Sequence, residues 1–281
     1  MKLLRYGEMN NEKWGLLDRE GRIRMLDDAL AHIVGDPLSP GWLAPLQALD
    51  PATLPLLKTK QRVGPPIPRP LNFVCIGLNY ADHAAETGGK IPKEPILFLK
   101  SLSAFCGPYD DIIIPPGSKK TDWEVELGVV IGTKASHVSE AEALDYVAGY
   151  TVVNDVSERE YQTARSGTWD KGKGCDTFGP VGPYLVTKDE VPDPQVLDLW
   201  TDIDGVRMQT GNTSTMTFGV KMLVSYVSQF FTLYPGDIIA TGTPPGVGMG
   251  KKPAPVFLRP GQSVRLGIQC LGEQANKTVG G

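Results

Sequence analysis

The chain has 281 residues, of which 41% are hydrophobic and 21% are charged, and these fractions are typical of a folded globular protein. The formal net charge is -4, the isoelectric point is near 5.5, and no Lys/Arg cluster is interleaved with aromatic residues, so we expect no nucleic-acid partner. No apolar run approaches the roughly 20 residues of a membrane span, and the amino-terminal segment turns polar before a signal-peptide core could form. The sequence therefore predicts a cytoplasmic protein without a membrane partner.

The amino-terminal part reads as a small β-rich lobe. Short strands are predicted at residues 2–6, 15–17 and 22–26, and a turn separates the last two. Residues 63–70 then carry four prolines, which favour a stiff extended connector. We therefore divide the chain into a β-rich domain at 1–62, a proline-rich linker at 63–72 and a main domain at 73–281.

The main domain is predicted to consist mostly of strands. Strand-like runs lie at residues 73–78, 96–99, 112–114, 124–131, 150–154, 181–186, 197–203 and 238–240. Asp204-Gly205 between two such runs indicates a tight hairpin turn. Scattered cysteines without a CxxC pair indicate reduced packing residues instead of a disulfide frame or a zinc site. The predicted class is α+β, predominantly β.

Helices are fewer, and each is predicted from a local signal. Ser139 with Glu142, and Ser157 with Glu160, match the S-x-x-E capping box, so each serine is expected to open a short helix. Apolar residues repeat at helical spacing over 219–231, which predicts a longer amphipathic helix.

Three carboxylates indicate a cation site. In the strand at 124–131, alternation places Glu124 and Glu126 on one face and apolar residues on the other. Two carboxylates this close repel each other in a buried strand unless a cation neutralises them, and Asp155, which follows the next strand, offers a third oxygen ligand. Oxygen ligands without Cys or His suit Mg²⁺, Mn²⁺ or Ca²⁺ and disfavour zinc. The simpler alternative is a solvated strand face.

His83 and Glu86 indicate a water-activating pair. They follow the strand at 73–78, and their i, i+3 spacing places them on one face of a helical turn that Gly88 and Gly89 are expected to end. A carboxylate so placed can orient an imidazole and stabilise its protonated form, as a general base requires. The alternative is a surface histidine in a short helix.

Taken together, these segments resemble the fumarylacetoacetate hydrolase family from residue 73 to about residue 271. The resemblance implies a mixed β-sandwich roll of that family's carboxyl-terminal type with a small β-rich amino-terminal lobe. It is carried by Gly77-Leu78-Asn79-Tyr80 with His83 and Glu86, Phe98-Leu99-Lys100, Glu124-Val125-Glu126-Leu127, Gly149-Tyr150, Asn154-Asp155, residues 173–180, residues 209–214, and Thr241-Gly242-Thr243-Pro244.

The resemblance also implies residue roles. Metal ligands would be Glu124, Glu126 and Asp155; catalytic residues would be His83, Glu86 and Lys173, with Lys173 stabilising enolate charge; substrate contacts would come from Arg159 and Gln162. From its residues alone, the segment 241–248 with Thr241 and Thr243 could bind an oxyanion, although it does not match a phosphate-binding loop.

The expected reaction is a Mg²⁺-dependent hydrolysis of a C–C bond in a 2,4-dioxo acid, either an acylpyruvate or a 2,4-diketo-3-deoxy sugar acid, to pyruvate and a carboxylic acid. The same site type also supports ureidoglycolate lyase, oxaloacetate decarboxylase or isomerase chemistry in this family, and a remote alternative is a non-catalytic ligand binder. The partner is then a small 2-oxo acid, whose distal end we expect the loops at 88–93 and 165–172 to contact. The resemblance further implies a homodimer.

Overall fold

Strands dominate the chain. A computed structural model describes residues 1–86 and 91–281, without the side chains of residues 84 and 85; Gly88 and Gly89, predicted to end a helix, and the first part of the predicted loop at 88–93 lie outside these residues. The strands are β1 (Lys2–Tyr6), β2 (Lys13–Leu17), β3 (Ile23–Met25), β4 (Val63–Gly64), β5 (Phe73–Gly77), β6 (Ile96–Leu99), β7 (Phe105–Cys106), β8 (Ile112–Ile114), β9 (Thr121–Asp122), β10 (Val125–Ile131), β11 (Val147–Asn154), β12 (Ser157–Glu158), β13 (Gly179–Pro180), β14 (Leu185–Thr187), β15 (Asp198–Ile203), β16 (Val206–Asn212), β17 (Ile238–Ala240), β18 (Ser263–Ile268) and β19 (Gly272–Gly280). The predicted class, α+β with mostly β structure, is confirmed.

Short helices connect the strands. They are α1 (Asp27–Leu30), α2 (Pro40–Gln47), α3 (Ala81–Glu86), α4 (Arg159–Ala164), α5 (Asp170–Lys173) and α6 (Val220–Val227), and 3-10 turns lie at 51–53, 143–146, 188–190, 213–215 and 248–250. Within the described residues, no helix has both the length and the apolar character needed to cross a membrane.

A ten-stranded sheet forms the centre of the fold. Its order is β3-β2-β1-β14-β11-β10-β17-β5-β6, with β4 paired to β1. The central strand β10 is buried along its whole length, and it pairs antiparallel with both β11 and β17. Apolar side chains at alternate positions of β10 pack into one core cluster, whereas Val130 packs into a second cluster with residues from β5 and β17. Both faces of β10 are therefore covered. The alternation in the sequence predicts this burial for the face that carries the apolar side chains.

A second, five-stranded sheet covers one face of the first. Its order is β16-β15-β18-β19-β8. Across the larger core cluster, β10 contacts β15 and β18, and β11 contacts β18 and β19. The predicted hairpin turn at Asp204-Gly205 joins β15 to β16, and both of its residues have positive φ angles, 49° and 80°. That geometry matches a type I′ turn, which explains the Asp-Gly pair.

The amino-terminal strands extend the same large sheet. Strand β1 pairs antiparallel with β14 through Lys2 opposite Val186, and one core cluster contains Leu3 and Trp42 together with Phe73. Helices α1 and α2 were not predicted in this β-rich part. Our division at 1–62, 63–72 and 73–281 stays a prediction.

Three helix predictions need correction. Ser139 opens a turn and then a 3-10 helix at 143–146, because its hydroxyl donates to Glu142 (2.7 Å) instead of accepting a backbone amide. Ser157 lies in β12, so Glu158 caps α4 by accepting from the Tyr161 amide (2.8 Å). The helix predicted at 219–231 ends at Val227, after which backbone amides donate three residues back in a tightened turn.

Gly149 in β11 lets β11 and β14 approach closely. An added Cβ would lie 2.2 Å from the carbonyl oxygen of Val186. We therefore expect Gly149→Ala to lower the free energy of unfolding by about 2–3 kcal/mol, as measured by urea denaturation. Gly41 in α2 is the matched control, because nothing lies within 4 Å of its added Cβ. Gly41→Ala should raise stability by up to about 1 kcal/mol; equal losses for the two variants would contradict this account of the β11–β14 contact.

Candidate metal and catalytic site

Strand register brings the three predicted carboxylates together. Val125 of β10 pairs with Asn154 of β11, so Glu124 lies opposite Asp155, and the Asp155 amide donates to the Glu124 carbonyl at 2.9 Å. Glu126 lies two residues along β10 on the same face as Glu124. The carboxylate oxygens of the three residues lie within 4.8 Å of one another, and all three side chains are buried. These acids form a group that could bind a metal ion.

Buried cations contact two of the three acids. The Lys173 ammonium donates to Glu124 at 2.6 Å and to Asp155 at 2.7 Å, and Lys100 donates to the other oxygen of Asp155. Arg159 Nη2 lies 2.6 Å from Glu124. Although burial alone would raise the pKa of Glu124, the charges of Arg159 and Lys173 hold that pKa well below its usual range.

Glu126 has a different environment. Its carboxylate accepts from the Gly242 amide at 2.9 Å, and no cation within the described ranges forms an ion pair with it. Burial first, and then the negative charges of Asp155 and Glu124, raise the pKa of Glu126 well above its usual range. A cation between the three acids would relieve this repulsion. Because the donors are all oxygens, a hard divalent ion fits the residues present.

The predicted pair His83 and Glu86 lies on α3, and His83 lines the cavity that also contains the acids. His83 Nδ1 lies 3.5 Å from Glu86 Oε2, a distance at the long limit of a hydrogen bond. The Gly246 amide donates to both oxygens of Glu86, at 3.0 and 2.9 Å. Burial opposes ionisation of Glu86, but His83 and the Gly246 amide together place its pKa below the usual value. Glu86 is thus kept charged beside the imidazole.

The cavity has a volume of about 110 Å³. It is lined by Ile76, Gly77, Leu78, His83, Phe98, Glu124, Glu126, Asp155, Arg159, Gln162, Thr163, Trp169, Lys173, Thr243 and Met249. Most of the residues predicted from the sequence are therefore brought together.

Thr241 is not brought into this group. It does not belong to the described residues that line the cavity, and its hydroxyl donates to the Leu127 carbonyl at 2.9 Å. The Thr243 hydroxyl lines the cavity but donates to the Val125 carbonyl at 2.9 Å and accepts from Gln209 at 2.8 Å. Backbone amides of this loop donate to carboxylates, as Gly242 does to Glu126 and Gly246 to Glu86. The oxyanion role inferred for the loop stays a prediction.

Four residues at the site were not assigned individual roles from the sequence. Asp122 is fully buried and contacts Arg159, whereas Lys100 contacts Asp155. Phe98 and Trp169 form an apolar wall with ring centroids 5.4 Å apart. A signal existed for Asp122, because the alternation of acids at 124 and 126 continues back to it.

Lys173 should be needed for stability as well as activity. Lys173→Met removes the ammonium that contacts both Glu124 and Asp155, so each of these buried carboxylates loses one of its two cations. We expect a loss of about 3–5 kcal/mol in the free energy of unfolding, measured by urea denaturation without added divalent ions. The control is Lys171→Met on the same helix, which removes an exposed ammonium and should change stability by less than about 0.5 kcal/mol. Similar values for the two variants would argue against the buried ion-pair network.

Fold and site together define the class: a mainly β protein with a histidine–glutamate pair beside a buried group of three acids. The sequence matches the family profile "Fumarylacetoacetate (FAA) hydrolase C-terminal" over residues 72–279, and the chain belongs to the fumarylacetoacetate hydrolase family. Members of this family are enzymes. A protein of Burkholderia cenocepacia (strain HI2424), named "Putative hydrolase", is 64% identical over 278 residues, which cover 99% of each chain.

Solved structures show the same fold over the whole chain. One is a fumarylacetoacetate hydrolase from Exiguobacterium antarcticum, 32% identical with a TM-score of 0.84, covering 100% of both chains. Another is named 2-hydroxyhepta-2,4-diene-1,7-dioate isomerase, from Mycobacterium marinum; it is 32% identical with a TM-score of 0.76, covering 100% of this chain and 98% of that one. The fold of this family thus occurs in proteins named for hydrolysis and for isomerisation.

Proposed function

We propose that the chain is a Mg²⁺-dependent hydrolase that cleaves a C–C bond of a 2,4-dioxo acid and releases pyruvate and a carboxylic acid. The observation that carries this proposal is that the imidazole of His83 and the three acids line one small cavity. Mn²⁺ or Ca²⁺ could take the place of Mg²⁺, since the oxygen donors suit any hard divalent ion.

In this proposal the chain's residues move one proton and bind one end of the substrate. His83 takes a proton from water while Glu86 stabilises the imidazolium, and the resulting hydroxide adds to the distal carbonyl carbon. The bond between that carbon and C3 of the substrate then breaks, its electron pair forms pyruvate enolate, and a proton from His83 completes the pyruvate. A bound cation would polarise the 2-oxo group and stabilise the enolate charge. The Lys173 ammonium contributes a second positive charge that stabilises the enolate.

Arg159 and Gln162 would bind the carboxylate or 2-oxo end of the substrate. Arg159 is 4% exposed, lines the cavity, and donates to Gln162 at 3.1 Å. Its Nη2 atom lies 2.6 Å from Glu124 and 2.8 Å from Asp122, so two acids hold the guanidinium beside the cavity.

The apolar wall supports an acylpyruvate over a polyhydroxylated sugar acid. Phe98 and Trp169 face the cavity together with Ile76 and Met249, and these side chains suit the apolar acyl end of a substrate. Trp169 belongs to the loop that we expected to contact the distal end of the substrate. Thr163 and Gln162 add polar groups nearby, so a sugar acid remains a second substrate to test.

The testing experiment is a Mg²⁺-dependent screen of acylpyruvates, 2,4-diketo-3-deoxy sugar acids, oxaloacetate and ureidoglycolate, with products identified by mass spectrometry. We expect pyruvate and the matching carboxylic acid from an acylpyruvate, and loss of this activity on addition of EDTA. Turnover that EDTA does not change would contradict the metal role. Products of decarboxylation, lyase cleavage or isomerisation alone would assign the site to those alternatives, and cation-dependent binding without any turnover would favour a ligand binder.

We also propose a homodimer, on the basis of the family resemblance. Light scattering coupled to size-exclusion chromatography should give a mass of about twice 30.4 kDa, and a mass near 30.4 kDa would contradict it.

A further inference from the structure

Asp122 lies beside the site, but both of its carboxylate oxygens already accept hydrogen bonds from other groups of the chain. Oδ1 accepts from the amides of Trp123 (2.9 Å) and Gly248 (2.6 Å). Oδ2 accepts from the amide of Met249 (3.0 Å) and from Arg159 Nε (2.8 Å). A carboxylate offers about four acceptor positions, so these four hydrogen bonds leave no capacity for a metal ion or a substrate. Any effect of Asp122 on the reaction must therefore pass through one of its partners.

Two of these partners, Arg159 and Met249, line the cavity, and Arg159 is the one whose charged side chain contacts Asp122. Its Nε is held by Asp122, its Nη1 donates to Gln162 at 3.1 Å, and its Nη2 lies 2.6 Å from Glu124. These contacts hold three sides of a planar guanidinium. Without Asp122, Glu124 would be the one remaining acid in contact with Arg159 among the described ion pairs, and the guanidinium could turn toward it and away from the cavity.

The turn at 248–250 has a shape that permits its contact with Asp122. An added Cβ on Gly248 would lie 1.9 Å from the Val256 carbonyl oxygen and 2.7 Å from Asp122 Oδ1. Glycine is therefore required for the backbone to come this close. Asp122 thus connects β9, α4 and this turn at one fully buried point.

We propose that Asp122 is a positioning residue, which fixes the Arg159 guanidinium and through it the carboxylate or 2-oxo end of the substrate. The effect of Asp122 on the substrate rests on the function proposed above, whereas its effect on Arg159 depends only on contacts within the chain.

Asp237 offers a matched control. It is also fully buried, and it accepts from the amides of Leu71 (2.9 Å), Asn72 (2.7 Å) and Tyr234 (2.9 Å) and from the Asn72 side chain (2.7 Å). It does not belong to the described residues that line the cavity. If Asp122 had only a structural role, Asp122→Asn and Asp237→Asn should have the same consequences.

The first test uses ¹⁵N NMR near neutral pH to measure how fast the Arg159 Nε–H proton exchanges with water. The signal is assigned by its absence in the Arg159→Lys variant. In the wild-type protein we expect slow exchange with water, and rapid exchange would overturn the proposal without any need for a folded variant. In Asp122→Asn the protected signal should disappear, whereas Asp237→Asn should keep it. A protected signal in Asp122→Asn would also overturn the proposal.

The second test measures oxalate binding by calorimetry in the presence of MgCl₂, with oxalate as a stable 2-oxo-carboxylate mimic. We expect Asp122→Asn to weaken binding at least about tenfold and Asp237→Asn to leave it nearly unchanged. In an Arg159→Gln background the effect of Asp122→Asn should vanish, because the residue through which it acts is gone. Equal weakening in both backgrounds would overturn the proposal. If the wild-type protein binds no oxalate, the proposed function fails, and the NMR result alone decides the role of Asp122.

Discussion

Glu126→Gln should strongly weaken cation binding while leaving the protein folded. The variant keeps the volume of the side chain and its acceptor for the Gly242 amide, but it removes one of three acids whose oxygens lie within 4.8 Å. We expect divalent-ion affinity, measured by calorimetry with Mn²⁺, to fall at least about 100-fold. Turnover should fall by roughly 10³ or more, because a bound cation supplies several kcal/mol of charge stabilisation.

Stability provides the check on this interpretation. Because burial and, after it, the neighbouring negative charges raise the pKa of Glu126, its neutral replacement should not lower the melting temperature measured without divalent ions. The exposed Glu142 is the control, and Glu142→Gln should change neither cation affinity nor turnover. Unchanged Mn²⁺ affinity in Glu126→Gln would remove this residue from the metal site.

His83→Ala should separate catalysis from metal binding. The imidazole lines the cavity and contacts Glu86, but we do not assign it as a metal ligand. Turnover should therefore fall by about 10²–10⁴, the usual contribution of a general base, while Mn²⁺ affinity stays within about threefold of wild type. Steady-state kinetics and calorimetry on the same preparation measure both quantities.

The exposed His32 is the control for His83. His32→Ala should match the wild-type protein in both turnover and Mn²⁺ affinity. Full activity of His83→Ala on every 2-oxo acid tried would refute its assignment as the base, and a loss of cation affinity equal to that of Glu126→Gln would assign it to the metal site instead.

Two features of the fold that follow from local patterns, a strand alternation and a hairpin turn, were predicted correctly, whereas the local capping boxes were not. The alternation along β10 indicated that Glu124 and Glu126 share a face, and the Asp-Gly pair indicated the hairpin between β15 and β16. These features depend on residues close in sequence, whose periodicity or turn chemistry can be read directly.

Long-range pairing explains most of what was missed. Nothing near Lys2 indicates that β1 pairs with β14, about 180 residues later, because strand pairing depends on the whole sheet. Helix α2 had a signal, since Ser39 caps it and Pro40 occupies its first turn, but Pro45 inside the helix obscures the pattern. Lys100 was quoted as part of a motif without a role. Its contact with Asp155 joins residues that follow β6 and β11, which are far apart in sequence, so no local pattern indicates it.

The most direct measurement is a crystal structure with Mn²⁺, using anomalous scattering to locate the ion. We expect one strong anomalous peak within about 2.5 Å of carboxylate oxygens from Glu124, Glu126 and Asp155, beside the cavity that His83 lines. No peak among these three acids at saturating Mn²⁺, or a peak held elsewhere in the chain, would contradict this expectation.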